Sequence, residues 1–230
     1  MPDSITRQNE PASPDRALLI FDLDGTLIDS RLDLANAVNA TRAEMGKSPL
    51  EHSLVFSYVG NGAPVLIRKA MGPDAPDADV QHALEFFLAY YRNHAVDDTR
   101  LYPGVRESLE RLHGAGNRLA VLTNKPVRIS EAIMEAMGLT PILFRIYGGN
   151  SFEQKKPHPI GIDTLRDEVE ATAENTWMVG DSIVDMQTAR NAGVMSCGVT
   201  YGFQPETLHE CPPDLLVDRM EDFAARILGA

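Results

Sequence analysis

The sequence predicts an α/β fold: a mainly parallel sheet, with an all-helical insertion after its first strand. Three observations carry that expectation. Short apolar runs alternate with helical patterns from residue 99 onward, residues 33–98 carry helical patterns only, and several apolar runs end abruptly in a carboxylate or a hydroxyl.

At 230 residues the chain is long enough for one large domain, or for a core with a smaller insert. With 43% apolar and 23% charged residues, its composition is that of a soluble globular protein. The 21 basic and 33 acidic side chains leave a net charge of −12. That field repels nucleic acid and anionic membrane surfaces, so neither is an expected partner. It also repels an anionic substrate, so a phosphate site must be made attractive locally, by metal and a few basic groups. Cys197 and Cys211 stand in no metal-like or redox-like spacing and are expected as free thiols in a reducing cytoplasm. Residues 1–15 are polar, with Pro11, Ser13 and Pro14, and read as a disordered lead-in without the apolar core of a signal peptide. No run is long and apolar enough to span a bilayer.

The first strand is the apolar run Ala17-Leu18-Leu19-Ile20-Phe21. It ends in Asp22, a charge that cannot sit inside a sheet without a partner or metal, and Asp24 follows two positions later. Gly25 supplies a tight bend, and Ser30 with Asp33 makes a capping box for a helix over 32–45. Leu34, Ala35, Val38 and Met45 line one face of that helix, and Gly46 ends it. Ser48-Pro49-Leu50-Glu51 reads as a second capping box. Val59-Gly60-Asn61-Gly62-Ala63-Pro64 bends into a helix that stops near Gly72. Asp77 then caps a long helix, whose Val80, Ala83, Leu84, Phe87, Leu88 and Tyr91 recur at helical spacing and read as core packing.

Beyond Tyr102-Pro103-Gly104 a helix with Val105, Leu109 and Leu112 leads to a strand over 118–122. Further strands are expected at 142–147, 176–179, 195–199 and 215–217, joined through right-handed crossovers. The organisation is a core from 16–32 and 99–230, with a helical insert over 33–98.

Three more strand ends carry polar residues. Thr123-Asn124-Lys125-Pro126 offers a hydroxyl and backbone N–H groups at a helix start, either a phosphate-oxygen cradle or an ordinary helix cap. In Lys155-Lys156-Pro157-His158-Pro159, prolines stiffen the backbone and can aim one lysine into the crevice beyond the strands, while His158 between them reads as a bystander. Trp177-Met178-Val179-Gly180-Asp181 is another strand ending in a carboxylate, with Asp185 four residues on. Hard oxygen donors from Asp22, Asp24 and Asp181 suit Mg²⁺.

In this order, each at a strand end, the pieces resemble the four motifs of the haloacid-dehalogenase superfamily, beginning with Asp22-Leu23-Asp24-Gly25-Thr26-Leu27. The resemblance implies a Rossmann-like core, an aspartyl-phosphate mechanism with Asp22 as nucleophile, and Asp24 as general acid/base. Thr123, Asn124 and Lys156 would bind phosphate. Asp181 would bind the metal, Asp185 would stand behind it, and Asp24 would contribute through its backbone carbonyl. The helical insert resembles that superfamily's first class of cap domain.

Across nearly the whole chain the similarity is to the bacterial phosphoglycolate phosphatase group. It rests on Val59-Gly60-Asn61-Gly62-Ala63, Tyr102-Pro103-Gly104-Val105, Thr123-Asn124-Lys125-Pro126, Lys155-Lys156-Pro157-His158-Pro159 and Val199-Thr200-Tyr201-Gly202. Asn150 departs from the aspartate usual there, and Phe203-Gln204 replaces a Tyr-Asn pair. The expected activity is phosphomonoester hydrolysis of a small anionic metabolite, 2-phosphoglycolate first, by a monomer or homodimer.

Other sugar phosphates, nucleotides and pyrophosphate remain alternative substrates. A β-phosphoglucomutase-like isomerase is the rival reaction, although Thr26 stands where those mutases usually carry an aliphatic residue. A binding module would be expected to lack one of Asp22, Asp24, Lys156 or Asp181, and all four are present. Substrate selection is expected from the insert. Its Gly60-Asn61-Gly62 bend is either a structural turn or a close approach for a carboxylate, with Arg68 and Lys69 following.

Overall fold

Leu18–Phe21, four buried apolar residues, forms strand β1 inside a six-stranded parallel sheet. This computed structural model describes residues 16–229, so the lead-in expected over 1–15 lies outside the described residues. β1 pairs with β4 (Arg118–Leu122) on one side and β6 (Thr176–Gly180) on the other. β5 (Leu143–Tyr147), β7 (Met195–Val199) and β8 (Leu215–Val217) complete the order β5-β4-β1-β6-β7-β8. The chain winds outward from β1 in one direction and then in the other, so β1 sits where the strand order reverses. In sheets of this kind the crevice at that point takes ligands.

Side chains alternate along β1, as the two-residue period of a strand requires. Leu19 and Phe21 pack on one face with α5 (Val105–Gly114), α6 (Val127–Ala136) and α9 (Met220–Leu228), and Phe21 meets Phe223 edge-on at 6.1 Å. Leu18 and Ile20 pack on the other face with α7 (Ile160–Val169) and α8 (Ile183–Ala192). Burying each such side chain contributes about 1.5–3 kcal/mol. Both faces of β1 are therefore covered.

Four helices lie between β1 and β4 ahead of α5: α1 (Arg31–Glu44), α2 (His52–Phe56), α3 (Ala63–Met71) and α4 (Asp77–His94). Their apolar faces share one cluster, with Leu34, Val38, Val55, Ile67, Phe87 and Tyr91 buried in it. Two strands of two residues, β2 (Ile28–Asp29) and β3 (Arg100–Leu101), pair antiparallel where the chain leaves and re-enters the core. Segments this short carry no readable alternation and leave no pattern in the sequence.

The expected caps fall differently. Ser30 makes no side-chain cap bond, and its hydroxyl instead donates to Asp24. Asp33 accepts from the N–H groups of Asp98 and Thr99 and from the Thr99 hydroxyl at 2.7–3.1 Å, tying α1 to the return crossing of the chain. Residues 48–51 are not helical. Asn39 bonds both the N–H and the C=O of Leu50, which holds that segment straight until α2 begins. Asp77 makes no cap bond and pairs with Arg68.

Candidate active site

Asp22 follows β1 directly, and its backbone N–H bonds to Val179 of β6. Its Oδ1 lies 2.8 Å from Lys156 Nζ, and that ammonium is 2.6 Å from Asp185 Oδ1. The other Asp185 oxygen accepts from the Ser182 hydroxyl and N–H, the capping box that starts α8. Asp181 follows β6. Its Oδ2 accepts from the N–H groups of Phe203 and Gln204, and its Oδ1 from the Thr26 hydroxyl. Gly25, at φ +84°, leaves room for Asp181, because a Cβ there would lie 2.4 Å from Asp181 Oδ2.

Asp22, Asp181 and Asp185 each present an oxygen within 4.8 Å of the others. Burial pushes the Asp22 carboxyl up to about 6, against the pull of Lys156 and with added repulsion from Asp185. Burial, then repulsion from Asp185 and Asp22, pushes Asp181 up to about 8. One ammonium, paired with two of the three carboxylates, leaves a deficit of positive charge, and with only hard oxygen donors present the cluster fits a hard divalent cation. The Asp24 side chain lies outside this set.

A stability effect follows from these carboxyls. Both stand above the ordinary 3.8, so their stabilising effect is complete below about 4 and is lost as pH rises through about 6 and about 8. In chelator the melting temperature is expected to fall between about pH 4 and about pH 8, by about 2–4 °C for each ~1 kcal/mol lost. Mg²⁺ should restore it, and more at high pH than at low. A melting temperature indifferent to both would show that these carboxyls are not held together as described.

Asp24 turns to the other side of the crevice. Lys125 Nζ lies 2.8 Å from its Oδ1 and 3.2 Å from its Oδ2, and donates to the Tyr91 hydroxyl at 2.6 Å. The sequence reading missed both partners. In the sequence Lys125 stands within the expected phosphate cradle, and the spacing of Tyr91 predicts core packing. Its ring is indeed buried, and only the position of its hydroxyl distinguishes it from its neighbours on α4.

Thr123 is buried at the end of β4, and its hydroxyl accepts the Lys125 N–H at 3.3 Å. The Asn124 side-chain amide donates to the carbonyls of Gly60 and Lys156, while its Oδ1 is buried without a partner. The bend ahead of α3 is held through three consecutive carbonyls. Val59 accepts from Gln204 Nε2 at 2.8 Å, Gly60 from Asn124 Nδ2 at 3.1 Å, and Asn61 from Lys155 Nζ at 2.6 Å. Gly62, at φ +84°, follows with a hypothetical Cβ 3.0 Å from the Asn124 carbonyl.

Arg68 points to Ala75 and Asp77, and Lys69 lies over the Tyr58 ring, so neither faces the crevice. His158 only accepts a local N–H from Ile160. Asn150 accepts the N–H that opens α6. Phe203 and Gln204 both reach the helical insert: Gln204 through Val59, and Phe203 through Arg31, whose guanidinium stands 5.3 Å from its ring and 5.8 Å from Phe56.

Between sheet and insert lies a cavity of about 50 Å³. Its polar lining includes Asp22, Asp24, Tyr91, Thr123, Lys125 and Asp181, and Leu34, Val59, Leu66 and Phe87 are among its apolar wall. That space takes only a few water-sized groups. Among the described residues, no helix is long and apolar enough to cross a membrane, and Cys197 and Cys211 are free and buried.

Residues 19–199 match the haloacid dehalogenase-like hydrolase family. The chain is 38% identical over 220 residues to a phosphoglycolate phosphatase of Agrobacterium fabrum, covering 94% of this chain and 92% of that protein. It is 37% identical over 215 residues to a phosphoglycolate phosphatase of Vibrio parahaemolyticus, covering 90% and 94%. The crystal structure of a predicted phosphoglycolate phosphatase from Haemophilus somnus superposes with a TM-score of 0.86 at 32% identity, over 91% of this chain and 96% of that one. With its sheet order, its helical insert and its acidic strand ends, the chain belongs to the haloacid dehalogenase-like hydrolase family.

Proposed function

We propose that this chain is a Mg²⁺-dependent phosphomonoester hydrolase acting through an aspartyl-phosphate, with 2-phosphoglycolate as its substrate. The observation that carries the reading is the division of the two acids. Asp22 joins Lys156 and the buried carboxylates, whereas Asp24 faces the cavity from outside that set. One is placed to attack phosphorus and the other to move a proton.

Asp22 attacks the phosphorus while the bond to the ester oxygen breaks. Asp24 gives that oxygen a proton, releasing glycolate, and then takes a proton from the water that attacks the aspartyl-phosphate. Phosphate leaves and both side chains return to their starting state. An anionic nucleophile and an anionic substrate repel each other, and Lys156 offsets part of that repulsion while Thr123 donates to a phosphate oxygen. Asp22 and Asp181, with Asp185 behind, would hold Mg²⁺, which would supply the remaining positive charge for the developing transition state. Closure of the insert over the small cavity excludes water that would compete as a nucleophile.

The small cavity suits a two-carbon acid better than a hexose phosphate, and the curated relatives named above are phosphoglycolate phosphatases. A panel of phosphate esters compared by kcat/KM tests the reading, since that ratio measures discrimination. 2-Phosphoglycolate should rank first and release free phosphate. A hexose phosphate ranking first, or an isomerised sugar phosphate among the products, would overturn it.

The insert is proposed to select the substrate through its docked bend at Gly60, Asn61 and Gly62. Gly62→Val forces a branched side chain against the Asn124 carbonyl at a positive φ, and so keeps the insert from closing. The expected loss in kcat/KM for 2-phosphoglycolate is ~10² or more, the scale set by displacing a reacting group by about an ångström. p-Nitrophenyl phosphate, which ignores the insert, should lose much less. Equal losses for both, with the variant still folded, would assign the bend to closure or stability and not to selection.

A further inference from the structure

We infer that Lys125 and the cap hydroxyl of Tyr91 together form the docking site for the carboxylate of the substrate. This rests on the proposed 2-phosphoglycolate reading and adds the residues that distinguish that substrate from other phosphate esters. A carboxylate entering a largely apolar cavity needs a cation or several donors to offset the loss of water. Among the described residues, Lys125 is the one cation lining the cavity. Lys156 is already paired with Asp22 and Asp185, Lys155 holds the Asn61 carbonyl, Arg68 holds Asp77, and Arg31 lies against Asp29.

The donors at this place are not fully used. An ammonium has three N–H groups. That of Lys125 meets Tyr91 at 2.6 Å and Asp24 Oδ1 at 2.8 Å, and its remaining contact, to Asp24 Oδ2, is a longer 3.2 Å. The Tyr91 hydroxyl accepts from Lys125, and among the described residues no acceptor takes its own proton. One exchangeable N–H and one O–H therefore stand side by side, on two residues that line the cavity.

The chemistry of the substrate places its carboxylate at the same point. In 2-phosphoglycolate a single carbon separates the ester oxygen from the carboxylate. The acid that protonates that oxygen and the group that binds the carboxylate must be neighbours, and Lys125 is in direct contact with Asp24. Lys125 belongs to the core and Tyr91 to α4 of the insert, so the site is complete only when the two parts meet. Recognition of the carboxylate and closure over the phosphate become one event.

The test compares 2-phosphoglycolate with ethyl phosphate, an ester of the same length without the carboxylate. Wild-type kcat/KM should favour 2-phosphoglycolate by ~10² or more, as expected for a site built around a buried polar partner. Lys125→Met should lower both activities through its contact with Asp24, yet collapse the ratio between them to within about tenfold of one. Tyr91→Phe, nearly isosteric, should lower the ratio by about tenfold and serves if Lys125→Met fails to fold. Lys125→Arg should restore part of the ratio. If both variants reduce the two substrates in equal proportion, Lys125 serves Asp24 alone and the inference is overturned. If the wild-type protein shows no preference for the carboxylate ester, the substrate reading itself fails, a result visible before any variant is made.

Discussion

Asp22→Asn is expected to abolish turnover, by at least ~10⁴-fold, while the protein still folds. The substitution keeps size and shape and removes only the charge proposed to attack phosphorus. Asp24 has no route to replace it, because its side chain lies outside the carboxylate set and against Lys125. The stability effect should run opposite to the activity effect. Burial and repulsion from Asp185 hold the Asp22 carboxyl up at about 6, so at neutral pH without metal its ionised form is a strain on the fold. A neutral amide at this position relieves that repulsion, and the melting temperature in chelator should rise, most clearly above about pH 7. Two measurements decide the matter. Brief exposure to radiolabelled ester followed by acid quenching should label the wild-type protein and leave Asp22→Asn unlabelled. Activity retained within about tenfold, or equal labelling of both proteins, would remove Asp22 from the nucleophile's role.

Much of this arrangement was readable because each acid terminates an apolar run. The runs ending in Asp22 and Asp181 are core strands β1 and β6, and a charge at such a boundary has to emerge in the crevice. The helical insert was readable for a related reason, since its four helices bury faces at helical spacing. What stayed hidden depends on partners distant in sequence. Asp33 has the spacing of a capping residue, yet its acceptors serve Asp98 and Thr99, 65 and 66 positions away. β2 and β3 are too short for any pattern and exist because they pair with each other. Tyr91 is indistinguishable from Phe87 by periodicity, and only the fold brings its hydroxyl to Lys125. Phe203 and Gln204 stood out as departures from the phosphoglycolate phosphatase pattern. Their backbone N–H groups hold Asp181 while their side chains reach the insert, a double use that no local pattern reveals.

Lys156→Met is expected to damage stability and activity together, and the pH dependence of the damage identifies its cause. The Lys156 side chain is 3% exposed and is the counter-charge for both Asp22 and Asp185. Methionine fills much of the same space, so the loss is one of charge more than of packing. Leaving buried carboxylates unpaired costs about 3–5 kcal/mol. In a chain of this size that corresponds to a melting temperature lower by roughly 6–20 °C. The attraction of Lys156 is what lowers the Asp22 carboxyl, so removing it raises that carboxyl above its present value of about 6. A carboxyl raised further stabilises the fold only while protonated, so the deficit should be small near about pH 5 and grow as pH rises through and beyond that value. Mg²⁺ should recover part of the stability by supplying positive charge to the same oxygens. On the proposed role of Lys156 it should not recover turnover, because the ammonium assigned to the phosphate oxygens is missing, and kcat should remain down by ~10³. Melting curves in chelator and in Mg²⁺, taken across the pH range, separate these contributions. A variant that melts like the parent at every pH would show that Asp22 and Asp185 are neutralised by something other than Lys156.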